Sequence, residues 1–168
     1  MNLPVSEKNF LERIADGIPG LAGYRGRESR RDTDKRLREH LARRLDRARG
    51  RLDEARRGIS RRGDLGPLGA VGELDKRLRR GADSLRHASY GYTGLFDQVK
   101  LRESELDRIY RFDLGLLDQV EEVERAMAEI GDGGDSGRLD GVAPMVDRLL
   151  EQIAQRGEIF EQPKTGGL

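Results

Sequence analysis

Between Leu37 and Ile59 the apolar residues fall at Leu37, Leu41, Leu45, Ala48, Leu52, Ala55 and Ile59, in steps of 4, 4, 3, 4, 3 and 4. Only a helix gathers such a spacing into one stripe, because its side chains return to the same face every three to four residues, whereas a strand would divide them between two faces. A single apolar stripe is stable only when buried against another, so this segment predicts helix-on-helix packing with a heptad seam. Acid-before-base pairs four residues apart support it: Asp34 with Arg38, Glu39 with Arg43 and Asp53 with Arg57, each contributing ~0.3 kcal/mol. The expected helix runs from Ser29 or Asp32 to Arg61, with Gly50 and Gly58 weakening it by about 1 kcal/mol each relative to alanine.

The same spacing recurs three more times. Val71, Leu74, Leu78, Leu85 and Ala88 define a second helix over 71–88, and the turn signals Gly63, Gly66, Pro67 and Gly69 predict an antiparallel hairpin with the first. Leu106, Ile109, Asp113, Leu116, Val120, Val123, Met127 and Ile130 define a third over 103–130, closed by the loop Gly131–Gly137. Leu139, Val142, Val146, Leu149, Leu150, Ile153 and Phe160 define a fourth over 139–162, in which Pro144 belongs near the first turn. Ahead of all four, Ser6 caps a short amphipathic helix carrying Phe10, Leu11 and Ile14, followed by an irregular connection through Gly17–Tyr24. The expectation is therefore an all-α fold: an elongated antiparallel helical bundle or coiled coil of four main helices plus a short N-terminal amphipathic helix. It forms a single domain over 1–162, with 1–24 as amphipathic helix and linker, 29–61 as basic helix and 89–100 as aromatic corner. Residues 163–168 are expected to be a flexible tail.

Composition agrees with this class. Hydrophobic residues make up 35% and charged residues 38% of the 168, which suits helices that each bury one thin stripe and expose a wide charged surface. Cysteine is absent, which rules out disulfides and thiolate chemistry and suits a reducing cytoplasm, with the inner face of a membrane as a second location. The N-terminal segment lacks the pattern of a secretory signal, and no apolar run approaches the roughly 20 residues of a membrane span.

The formal net charge of +1 conceals a segregation. From Arg25 to Arg62 there are 16 basic and 7 acidic residues, a net +9, and from Leu101 to Gln162 there are 7 basic and 16 acidic, a net −9. If the two segments are antiparallel neighbours, the opposed charges beside their seam favour that pairing, within one chain or between copies, over pairing of like with like. Arg36, Arg43, Arg44 and Arg47 on the basic helix are the candidate interaction residues of this kind. A basic helix also suits an anionic surface; nucleic acid is disfavoured, because Ser89 to Val99 contains aromatic residues but no Lys or Arg to interleave with them.

Signals of chemistry are weak. The two histidines, His40 and His87, lie on different helices, so neither a metal-binding pair nor a Ser/His/Asp pattern is present, and no catalytic, cofactor-binding or metal residue is assigned. The Gly-rich stretches carry no Gly-Lys-Ser/Thr and read as turns. Arg62-Gly63-Asp64 resembles an adhesion tripeptide but reads as part of the same turn. Tyr90, Tyr92 and Phe96 belong to a compositionally distinct corner that either plugs the bundle's end or forms a recognition surface. Asp113 stands on an apolar stripe between Ile109 and Leu116, where an unpaired carboxylate is costly: either an Arg or Tyr from a neighbouring helix lies beside it or it sits at the seam's margin, while a carboxylate metal site with Asp97, Asp107 and Tyr110 is disfavoured for want of Glu-x-x-His repeats.

Gly17-Ile-Pro-Gly20 with Gly23-Tyr24-Arg25, Asp34-Lys35-Arg36-Leu37-Arg38, Ala88-Ser-Tyr-Gly-Tyr-Thr-Gly-Leu-Phe-Asp97 and Leu106-Asp-Arg-Ile-Tyr-Arg-Phe-Asp113 resemble a family of small bacterial helical coiled-coil proteins to which no activity is assigned. That resemblance spans roughly residues 10–160 and implies a helical fold and a bacterial origin. In layout the chain is also similar to phage-shock and ESCRT-III-like membrane-remodelling proteins, which join an N-terminal amphipathic helix to a basic hairpin and acidic later helices. The functional expectation is a non-enzymatic interaction or scaffold protein without cofactor, partnered by another protein or by itself as a homo-oligomer. The alternative is a peripheral membrane protein using Phe10, Leu11 and Ile14 with the basic helix.

Overall fold

In the computed structural model, residues 27–88, 103–131 and 136–161 are described, with side chains at 34–88, 111–131 and 137–156. Every element among them is a helix: α1 (Arg27–Arg62), α2 (Leu68–His87), α3 (Glu103–Ile130) and α4 (Ser136–Glu161). The N-terminal amphipathic segment with Phe10, Leu11 and Ile14, and the aromatic corner with Tyr90, Tyr92 and Phe96, lie outside the described residues.

The periodicity places the core correctly. All seven apolar positions of the α1 stripe are buried, as are Val71, Leu74, Leu78 and Leu85 on α2, Leu116, Val120, Val123, Met127 and Ile130 on α3, and Leu139, Val142, Val146, Leu149 and Ile153 on α4. Gly58 is itself buried and the helix continues through it to Arg62, because packing on that face outweighs the helix-propensity deficit. Two differences from expectation concern ends. Helix α2 begins at Leu68 rather than Val71: Gly63, at φ 73°, donates to the Ser60 carbonyl, and Pro67, already in the αR region, accepts from Val71. Proline's fixed φ suits a helix entrance, so the turn feeds directly into α2. Helix α4 begins at Ser136, which moves Pro144 from the first turn into the helix interior. Pro144 and Asp140 are both exposed, so the Asp140 carbonyl that loses its intrahelical donor faces water.

Each helix touches two neighbours: α1 contacts α2 and α3, and α4 contacts the same two, giving a square in which α1 and α4 are diagonal. Within the hairpins the helices are antiparallel, as expected. Between hairpins they are parallel. Asp34 and Asp113 share one arginine while Arg44 reaches Glu121 and Glu124, so residue numbers rise together along α1 and α3. Arg77 meets Asp147, and a Cβ placed on Gly81 would meet Leu150 and Ile153, so they also rise together along α2 and α4. The basic and acidic helices are thus neighbours running in the same direction, not antiparallel as expected, because each hairpin docks whole and parallel on the other.

Gly81 belongs to this pairing. A Cβ there would lie 2.9 Å from Leu150 Cδ2 and 3.3 Å from Leu45 Cδ1, so glycine permits the close approach of α2 to α4.

Candidate interaction surface and buried charge cluster

Asp113, whose position on an apolar stripe required a partner, has one. Arg156 on α4 holds its carboxylate with two bonds, Nε to Oδ1 at 2.7 Å and Nη2 to Oδ2 at 3.0 Å. The same Nη2 donates across the bundle diagonal to Asp34 Oδ1 at 2.6 Å. Asp34 Oδ2 in turn accepts from Arg38 Nε at 2.9 Å, and Arg38 Nη1 donates to the Leu85 carbonyl at 3.0 Å at the C-terminal end of α2. Two aspartates and two arginines therefore tie all four helices together at one end. Asp113 and Arg156 are only 3% and 2% exposed, deep enough that each depends on the other for charge balance. Burial pushes the Asp113 carboxyl above the ordinary carboxylate range, against the opposing pull of Arg156.

Sequence reasoning misses Arg156, although it continues the α4 stripe three residues beyond Ile153. The available signal is a charged residue at a stripe position on each of two helices: Asp113 on α3 and Arg156 on α4 are opposite in sign and close the same layer.

The four candidate arginines divide. Arg44 is committed inside the bundle, with Nε and Nη2 on Glu124 Oε2 at 2.9 and 2.5 Å and Nη1 on Glu121 Oε1 at 3.2 Å. Arg47 approaches Glu124 Oε1 at 3.5 Å, too poorly aligned to satisfy that buried oxygen with a hydrogen bond, and its side chain is 64% exposed. Arg43 lies 4.0 Å from Glu39 and is also exposed, a pairing of little energetic weight. Arg36 is half-buried on the same side of α1. Among them sits His40, half-buried; its burial, then the charges of Arg44, Arg43 and Arg47, hold the imidazole below its ordinary value, with Glu124 opposing. His87 is exposed as the last residue of α2.

The α1–α3 seam is thus held by opposite charges, and Arg77 with Asp147 repeats the theme between α2 and α4 at 2.9 Å. On α3 and α4 the outer surface forms a shallow groove of about 310 Å³ lined by Gln119, Glu122, Val123, Met145 and Arg148. No described helix is long and apolar enough to cross a membrane. The fold and these contacts define a four-helix bundle of two parallel-docked hairpins. Comparison of the chain with protein-family models, with curated proteins and with solved structures finds no match.

Proposed function

We propose that this chain is a non-enzymatic helical interaction or scaffold module that associates with copies of itself through faces of opposite charge. The observation that supports it is the charge left over after the internal pairs are formed. On the first hairpin, the exposed Lys35, Arg57, Arg61 and Arg80 make no ion pair among the described residues; on the second, the same holds for Glu122, Glu129, Asp140 and Glu151. Asp64, Arg125 and Arg148 run against the trend without reversing it. Two oppositely charged sides on one molecule attract the complementary side of another, and screening by salt weakens the attraction.

Sedimentation velocity on the purified chain at about 0.02 M and about 0.5 M salt tests this reading, since these span a large change in screening length. The expected result is a mass above the 18.9 kDa of one chain at low salt, returning towards it at high salt. A monomer at every salt and protein concentration overturns it.

A further inference from the structure

Helices α2 and α4 lie side by side and parallel, and the bond from Arg77 to Asp147 crosses the outer edge of their seam. That bond identifies the stripe of each helix that borders this flank of the bundle. On α2, Glu73, Arg80 and Ser84 stand four residues before, three after and seven after Arg77, so they share its side. Lys76, with smaller contributions from Arg77 and Arg80, holds the Glu73 carboxyl below its ordinary range, as expected of groups on one side. On α4, Asp140, Glu151 and Ala154 stand seven before, four after and seven after Asp147. All of these are exposed except Arg77, which is half-buried.

The bonded pair also sets the level of its neighbours. Arg80 lies three residues beyond Arg77 and Glu151 four beyond Asp147, so on parallel helices the two differ in height by only about 1.5 Å. Even so, neither makes an ion pair among the described residues, with the other or with any third group. Each flank thus presents one cation and one anion, side by side, that the chain itself leaves unmatched.

Two copies can bring this flank together about a two-fold axis in two ways. An axis lying across the helices sets α2 antiparallel on α2 and α4 on α4, which turns Arg77 and Arg80 against the same cations and Asp147 and Glu151 against the same anions. An axis lying along the helices sets α2 parallel on the partner's α4 and keeps every residue at its own level. Arg80 then faces the partner's Glu151, and Glu151 faces the partner's Arg80. Arg77 and Asp147, still bonded within each copy, face the partner's Asp147 and Arg77, so the signs alternate around the axis. With the level fixed by the Arg77–Asp147 bond, Glu73 falls opposite Ala143, Ala70 opposite Asp140 and Ser84 opposite Ala154. No like charges stand directly opposite, and the small side chains let the helices approach.

We propose that the α2–α4 flank is a self-docking surface that closes a dimer about a two-fold axis parallel to the helices, with Arg80 of each copy on Glu151 of the other. This deepens the self-association reading above and rests on it. The contact joins a patch to its own copy, so assembly stops at two chains. A face two helices wide and as long as α2, about 20 Å by 30 Å, covers about 600 Å² on each copy, at the lower bound of stable interfaces. Its contacts are exposed charges and small side chains, so the dimer is weak and salt-labile.

Charge reversal tests the surface in the full chain. Arg80→Glu alone and Glu151→Arg alone each oppose like charges at both symmetric pairs, and each is expected to sediment as a monomer at low salt with its helical circular dichroism retained. A chain carrying both substitutions, or an equimolar mixture of the two single variants, restores opposite signs at both pairs, and dimerisation is expected to return. The parent's mean mass at low salt should level off at two chains as its concentration increases. As a measurement that leaves the charges in place, Ser84→Cys and Ala154→Cys chains, mixed and treated with a short bis-maleimide, should give a cross-linked heterodimer, since the parent has no cysteine. Ser84→Cys by itself should not link to a second copy. If the parent self-associates but grows past two copies, or the single reversal variants assemble as it does, or Ser84→Cys links to itself while the mixture does not cross-link, this surface is wrong while self-association stands. If the parent chain is monomeric throughout, both readings fall.

Discussion

Replacing Arg156 by methionine keeps much of the side chain's length and removes its charge, which isolates the contribution of the buried cluster. Asp113 loses both bonds from its one partner, at 2.7 and 3.0 Å, while 3% exposed, and Asp34 loses the bond at 2.6 Å but keeps Arg38 at 2.9 Å. The dominant effect is an uncompensated buried carboxylate, and removing one partner of a buried ion pair costs about 3–5 kcal/mol. Against a total stability of about 5–15 kcal/mol, that is a large fraction. With a urea slope of about 2 kcal/mol/M, the unfolding midpoint should fall by about 1.5–2.5 M. The double variant Asp113→Leu with Arg156→Met removes both charges and fills the stripe with apolar atoms, so it should recover to within about 1 kcal/mol of the parent or exceed it. Urea unfolding followed by circular dichroism on the parent, both single variants and the double variant gives the coupling energy directly. A midpoint for Arg156→Met within about 0.3 M of the parent, or a double variant less stable than either single one, would refute the claim that the pair is held by mutual charge compensation.

Glycine supplies a contrast between open and closed helix surface. A methyl group on Gly50 would have nothing within 4 Å, so Gly50→Ala should stabilise by about 1 kcal/mol, whereas Gly81→Val should destabilise by about 1–3 kcal/mol through contact with Leu150 and Leu45, both readable as thermal midpoints. Pro144→Ala restores a donor in the middle of α4 and is expected to add up to about 3 kcal/mol, and an unchanged or lowered midpoint would contradict the assignment of Pro144 to the helix interior. His40 contributes one component of the pH dependence: its folded-state pKa is depressed, so the neutral ring's contribution is complete above about 6.5 and is lost as pH falls through the folded value. Stability should therefore decline on acidification below that point, and His40→Gln should flatten that part of the profile; an unaltered profile would show that the decline arises elsewhere.

Much of this architecture is legible in the spacing of apolar residues, since a 3/4 step decides both that Leu41, Leu52, Leu78 and Val120 lie on helices and that they face inward. The same logic points to Asp113, because a carboxylate at a stripe position must find a cation. Its cation is legible only in principle: Arg156 follows Ile153 by three residues, but long arginines often reach solvent from the edge of a stripe, and nothing local distinguishes one that does not. Ala42, Gly81 and Leu117, all buried, widen the stripe at points where a particular neighbour comes close.

Which helix would neighbour which was decided in three dimensions. Periodicity specifies the face that a helix buries and leaves open the partner and its direction, so the chain's own pattern was compatible with antiparallel or parallel docking of the basic and acidic helices. The parallel choice comes from side chains far apart in sequence meeting at once: Arg156 with Asp113 and Asp34, Arg44 with Glu121 and Glu124, and Gly81 admitting Leu150. Helix formation depends on residues three and four apart, whereas docking depends on complementarity across the whole layer, and that exists only once the hairpins are in contact.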